Sequence, residues 1–151
     1  MTAEIHNQVV NHIAKFRFPF PGQKTWAADY VTLTNVPSRK RSIRTPGGEH
    51  YPDIVIVDGK GRTREIGEVE MSVEAAKLPL LRAASEAADN DTPTGVKHFF
   101  LYVPVGLESA AQQLLESNNI SYAGVRGFTV GDSGQIAIIP FVTKGDAYDH
   151  Q

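Results

Sequence analysis

The chain has 151 residues, 21% charged and 41% hydrophobic, with no cysteine and a formal net charge of −2. That length suits a single domain with a sizeable core, and the absence of cysteine excludes disulfides and Cys-ligated zinc. No apolar run reaches the roughly 20 residues of a membrane span, and Met1-Thr2-Ala3-Glu4 lacks the basic start of a signal peptide, so a cytoplasmic location without membrane contact is expected.

In chain order, residues 3–16 read as an amphipathic helix with Thr2 as N-cap, because Ile5, Val9, Ile13 and Phe16 recur at helical spacing. Phe18-Pro19-Phe20-Pro21-Gly22 ends it. Residues 26–36 are rich in β-formers and predict a first strand, followed by a basic connection from Pro37 to Gly48. Residues 53–58 form an apolar strand, Gly59-Lys60-Gly61 a short turn, and residues 63–71 the returning strand of an antiparallel hairpin. A second helix is expected from Ser72 to Ala88, kinked or divided at Pro79. Residues 97–103 make a continuous apolar strand of the buried kind. A third helix follows over 107–117, a fifth strand over 122–125 and a closing hairpin over 128–141. The pattern predicts one α/β domain over residues 1–151.

The near-zero charge conceals an asymmetry. Residues 1–64 hold ten Lys/Arg against five Asp/Glu, and residues 65–151 hold five against twelve. The basic residues gather in Arg39, Lys40, Arg41 and Arg44 and again in Lys60 and Arg62, so a polyanion partner is not excluded.

Pro52-Asp53 lies between the basic runs, and Glu68-Val69-Glu70 follows the second of them. Two glutamates two apart on a strand leave the same face, and their repulsion calls for a cation or hydrogen bonds. If Asp53 falls opposite Glu68, three carboxylates make an oxygen-rich site suited to Mg²⁺ or Mn²⁺. Register decides this, because a one-residue slip inverts every side chain. Pairing Asp58 with Arg62 places Asp53 opposite Gly67. Pairing Asp58 with Thr63, or an equivalent bulge at Gly67, places Asp53 opposite Glu68, and this second arrangement is expected.

Pro52-Asp53, a spacer and Glu68-Val69-Glu70, with the element order from Glu4 to about Val103, resemble the PD-(D/E)XK nuclease superfamily, the restriction-endonuclease-like fold. The resemblance implies an αβββαβ core over about residues 3–103, a mixed central sheet flanked by helices. A C-terminal extension over 104–143 and a frayed tail over 144–151 would follow. It implies metal-dependent phosphodiester hydrolysis, with DNA favoured over RNA as substrate and a homodimer as the working form. Asp53, Glu68 and the Val69 carbonyl would hold Mg²⁺ or Mn²⁺. Glu70 stands where the family usually has lysine. Some restriction-type members are similar in carrying glutamate there, which would serve as general base or further ligand. Lys77 could supply the relocated positive charge. Glu4 and His50 are auxiliary candidates, and Arg39, Lys40, Arg41, Arg44, Lys60 and Arg62 are candidates for nucleic-acid contact. The departure at Glu70 leaves a second expectation, a nuclease-fold module that binds nucleic acid or protein without cutting. An RNA-processing nuclease is a third.

The remaining histidines show no metal-ligand spacing such as HExxH, so zinc hydrolysis is not expected. Gly131-Asp132-Ser133-Gly134 resembles a serine-protease nucleophile motif, but its letters fit a polar hairpin turn.

Overall fold

A computed structural model describes residues 2–146 and residue 151. Its centre is the apolar run Phe99–Pro104 (β6), every residue of which is buried except the last. Alternate side chains of β6 serve two cores, as the two-residue strand period requires. Phe99, Leu101 and Val103 pack with Leu81, Ala84, Ala111 and Leu115 on one face. Phe100 and Tyr102 pack with Val9, Val10, Ile13 and Phe18 on the other.

The first core lies under two helices, α2 (Leu78–Ala87) and α3 (Glu108–Ser117), and the second under α1 (Thr2–Phe16). The six-stranded sheet runs β1 (Val31–Thr34), β4 (Ile54–Val57), β5 (Thr63–Val69), β6, β7 (Gly124–Val130), β8 (Ile136–Thr143). β5–β6 and β6–β7 are parallel and the other pairs antiparallel. Each parallel step is made through a helix, α2 and then α3, because parallel neighbours need a crossover. The architecture is thus α/β with a mixed sheet between helices. No helix among the described residues is long and apolar enough to cross a membrane.

Several elements differ from their sequence-based bounds. The first strand is only Val31–Thr34, because a turn from Ala27 to Tyr30 (N···O 3.1 Å) occupies the segment before it. The basic connection contains a small hairpin of its own, β2 (Ile43–Thr45) and β3 (Gly48–His50). The second helix begins at Leu78, with Pro79 in the first turn, where a missing N–H costs nothing. A 3-10 turn (Ala75–Lys77) leads into it, and Ser72 bonds Glu74 instead of capping. The expected fifth strand and the first arm of the hairpin are one continuous strand, β7. On α1, Phe16 is exposed and Val10 takes its place in the core. Of the expected frayed tail, residues 147–150 lie outside the described residues. Gln151 is buried, its carbonyl accepting from Arg126 Nε at 2.7 Å.

The β4–β5 hairpin carries the feature that positions the site. Asp58 anchors its turn, its Oδ1 accepting from the Lys60 and Arg62 amides at 2.9 and 3.0 Å. Asp58 N also donates to the Arg62 carbonyl at 3.0 Å, so Asp58 pairs with Arg62 and not with Thr63. Past the turn, Val57 pairs with Thr63 but Ile56 pairs with Glu65, leaving Arg64 as an extra residue. The bulge falls at Arg64, not at Gly67. Arg64 has other partners: its carbonyl accepts from Asp89 N at 2.9 Å and its guanidinium pairs with Asp89 at 2.8 Å.

Gly61 closes the turn at φ +79°, a conformation costly for any residue with a Cβ. Gly61→Ala is expected to lower stability by about 1–2 kcal/mol, read as a reduced urea midpoint with an unchanged m-value.

Candidate functional site

Beyond the bulge, Ile54 pairs with Gly67, so the next residue of each strand, Asp53 and Glu68, come opposite one another. Two hydrogen bonds lock them there. Asp53 N donates to Glu68 Oε1 at 3.0 Å, and Val69 N donates to Asp53 Oδ2 at 2.8 Å. Both carboxylates therefore sit at one end of the sheet, at the carboxyl end of β5, with Glu70 immediately beyond. Placing acids side by side has an electrostatic consequence. Burial pushes the Glu68 carboxyl upward, and the charge of Asp53 adds to that push. Glu70 is likewise raised by burial and by Asp53.

Two histidines offset the clustered charge. His50, at the end of β3, places Nε2 2.7 Å from Glu68 Oε2. Burial would lower its pKa, but Glu68, Asp53 and Glu70 together raise it. The His50–Glu68 pair consequently holds a proton well. His6 reaches in from α1 on the opposite face, with Nε2 3.2 Å from Asp53 Oδ2 and 3.2 Å from the Val69 carbonyl. The hydrogen bond to Asp53 raises the His6 pKa to about 9, against a smaller opposing effect of burial.

His6 was not among the residues singled out from sequence. Its signal lay in the helix period: His6 precedes Val9, Val10 and Ile13 by three, four and seven positions, which continues the buried stripe. A histidine at the end of an apolar stripe faces the sheet, and here it faces the carboxylates.

Lys77, in the 3-10 turn before α2, pairs with Glu70 (Nζ···Oε1 3.7 Å). A positive charge thus stands beside Glu70. Glu4 is exposed on the first turn of α1, two residues before His6, and it is His6 that α1 contributes to the cluster. Among the basic residues, Arg39 stacks over the Tyr51 ring at 4.7 Å, two residues from Asp53. Lys40 is exposed, and the Lys40 and Arg41 amides are both held by Asn35 Oδ1 (2.7 and 2.8 Å). The same Asn35 donates to the Pro52 carbonyl, which ties the basic segment to Pro52-Asp53. Arg44 is exposed on the β2–β3 hairpin that carries His50. Arg41 donates to the Gly61 carbonyl. Lys60 and Arg62 lie on the β4–β5 turn, at the far end of the strands from Asp53 and Glu68.

Asp53, Glu68 and the Val69 carbonyl are oxygen donors of the hard kind. Asp53 Oδ2 and the Val69 carbonyl already converge on one positively charged group, the His6 ring N–H. Among the described residues, no three His, Asp or Glu side chains are gathered into a ready metal cage. The reason is visible in the hydrogen bonds: Glu68 is turned onto His50 and the Asp53 amide, while Asp53 is turned onto His6 and the Val69 amide. Comparison with known family models, with curated proteins and with solved structures gives no match.

The folded pKa of His6, about 9, lies above the ordinary 6.5. The His6–Asp53 pair therefore contributes its stability in full below pH 6.5 and loses it as pH rises through about 9. A proton NMR titration is expected to show His6 titrating near 9, and unfolding free energies should fall over that window. A normal His6 midpoint near 6.5 would contradict the pairing.

Proposed function

We propose that this protein is a metal-dependent nuclease that hydrolyses phosphodiester bonds, with DNA as the favoured substrate. The reading rests on one observation: the Arg64 bulge brings Asp53 opposite Glu68, with the Val69 carbonyl beside them. The sequence of elements and the mixed sheet agree with a restriction-endonuclease-like core, and the small β2–β3 hairpin is an addition to it.

In this reading Asp53, Glu68 and the Val69 carbonyl bind Mg²⁺ or Mn²⁺, and Glu70 serves as a further ligand or base. A bound divalent cation lowers the pKa of a coordinated water and neutralises charge on the phosphate. Glu70, half-buried and raised in pKa, takes the proton of the attacking water at its carboxylate oxygen. Lys77 restores beside Glu70 the cation that the family's lysine would provide. His50 holds Glu68 in place through Oε2 and stands where it can also contact a phosphate. Arg39, Lys40, Arg41 and Arg44 meet the backbone of the nucleic acid, positioning it without reading sequence. Lys60 and Arg62 lie farther along the hairpin and serve a longer substrate. A homodimer acting on two strands extends the same reading.

A second reading, binding without cleavage, draws on the closed hydrogen bonding of the cluster, in which Asp53 and Glu68 each already has an imidazole partner and Glu70 a lysine.

Supercoiled plasmid, branched DNA and RNA, each with Mg²⁺ or Mn²⁺, separate these readings. Asp53→Asn and Glu68→Gln are each expected to reduce cleavage by about 100-fold or more. Equal activity in wild type and both variants would mean contamination and would refute the mechanism. Binding that weakens steeply with salt, without cleavage, would establish the second reading. Arg39→Ala and Arg44→Ala are expected to weaken DNA binding and to flatten its salt dependence by about one charge each.

A further inference from the structure

We propose that the outer edge of β8 is a self-association surface, on which two copies of this chain pair their β8 strands antiparallel about a two-fold axis at Ile138. The inference stands apart from the metal-dependent reading, since it involves neither the carboxylates nor the histidines.

β8 ends the sheet, with β7 on one side and no strand among the described residues on the other. Edge strands are commonly blunted by charge or by brevity. β8 is eight residues long, and Gln135 to Thr143 contain no charged residue. Ile139 and Phe141 are 41% and 43% exposed. Val105, 47% exposed, leans over Gly127, the residue paired with Ile139. An apolar patch beside an open edge marks a place for a partner.

The ladder to β7 shows which main-chain groups face outward. Antiparallel pairs alternate between bonded and non-bonded. Gly131 N donates to the Gln135 carbonyl at 2.8 Å, so that pair is a bonded one. Counting along the register, Thr129–Ala137 and Gly127–Ile139 are bonded, whereas Ile136, Ile138 and Pro140 turn their main-chain groups away from β7. Phe128, opposite Ile138, agrees with this count. Its carbonyl accepts from Val105 N at 3.0 Å, on the other side of β7. Ile136 and Ile138 therefore present an N–H and a carbonyl each, and Pro140 a carbonyl alone. Proline stands where its missing N–H takes nothing from the β7 ladder.

A second copy answers this pattern. With Ile138 opposite the partner's Ile138, the two exchange N–H···O bonds, and each Ile136 N–H meets the partner's Pro140 carbonyl. Exposed Ile139 falls beside the partner's Ala137. Charge selects the same arrangement. Asp132 and Lys144 are exposed and stand six residues to either side of Ile138, so antiparallel pairing carries each Lys144 toward the partner's Asp132. Parallel pairing in register would set like charges together. Lys144 already pairs with Glu116 of its own protomer, and the partner's Asp132 adds a second acid. At exposed positions such contacts fix orientation more than affinity. The contact is isologous and closes as a dimer.

The test is analytical ultracentrifugation of the full chain from micromolar to millimolar concentration, with circular dichroism to check folding. Wild type is expected to move to twice the monomer mass as concentration rises. Ile139→Lys, at an exposed position, is expected to weaken self-association by about 10-fold or more. The chain has no cysteine, so single cysteines report the register without background. Ile138→Cys is expected to form a disulfide-linked dimer on mild oxidation, and Ala137→Cys, which faces the partner's Ile139, to link far less. A wild type that stays monomeric throughout overturns the proposal. So does a dimer untouched by Ile139→Lys, or one that links through Ala137→Cys in preference to Ile138→Cys. These readouts use no metal and no nucleic acid, so their failure leaves the reading of the carboxylates standing.

Discussion

One extra residue in β5 governs the chemistry available to this fold. Asp58 draws the Lys60 and Arg62 amides onto its carboxylate and so sets the turn as Asp58 opposite Arg62. Continued without interruption, that register would set Asp53 against Gly67 and turn it away from Glu68. Arg64 absorbs the difference. Its carbonyl and guanidinium are both engaged by Asp89, outside the hairpin ladder, which stabilises the bulge in a position away from the site. The register of Ile54 with Gly67, and with it the meeting of Asp53 and Glu68, follows from that local accommodation.

The cluster so formed would be unfavourable if its charges stood alone. Three acids within one sheet end repel, and burial of Glu68 adds a desolvation cost. The fold meets this with main-chain donors and with two imidazoles delivered from opposite sides of the sheet. α1 brings His6 to Asp53, and the β2–β3 hairpin brings His50 to Glu68. Lys77 offsets Glu70 from the turn that leads into α2. Each of these groups belongs to a separate element, so the cluster depends on the packing of both layers against the sheet. The same dependence places His6 against Asp53 and the Val69 carbonyl. A helix that must bury Val9, Val10 and Ile13 also brings the residue one turn earlier to the ends of β4 and β5.

Local pattern made some of this legible and concealed the rest. β6 is legible because a short run of consecutive apolar residues rich in aromatics suits a strand buried on both faces. The β4–β5 hairpin was readable from two apolar segments around a Gly-Lys-Gly turn. Residues 26–30 depart from the pattern because Trp26 and Tyr30 have strand propensity, yet here they pack edge to face (5.3 Å between ring centroids) beside a turn. Pro79 by pattern alone kinks or divides a helix from Ser72 to Ala88, whereas the chain uses it to begin α2. The β2–β3 hairpin escaped notice because its strands are three residues each and mostly polar. His6 is hidden from short-range spacing because its partners, Asp53 and Val69, are 47 and 63 residues away.

The sequence by itself determined which residues could do chemistry and which segments would be buried. It set Pro52-Asp53 and Glu68-Val69-Glu70 on two strands of one hairpin, and placed basic residues before the first and in the turn between them. Those features are local, arising from side-chain type and from periods of two and 3.6 residues. Only the tertiary structure decided that Asp53 meets Glu68, that His6 and His50 close the cluster and that Lys77 stands beside Glu70. Strand register depends on where a bulge is tolerated, and that depends on Asp89, a residue from beyond α2 reaching back to Arg64. A contact between residues distant in the chain is settled by packing, because no local preference distinguishes Gly67 from Glu68 as the partner of Asp53.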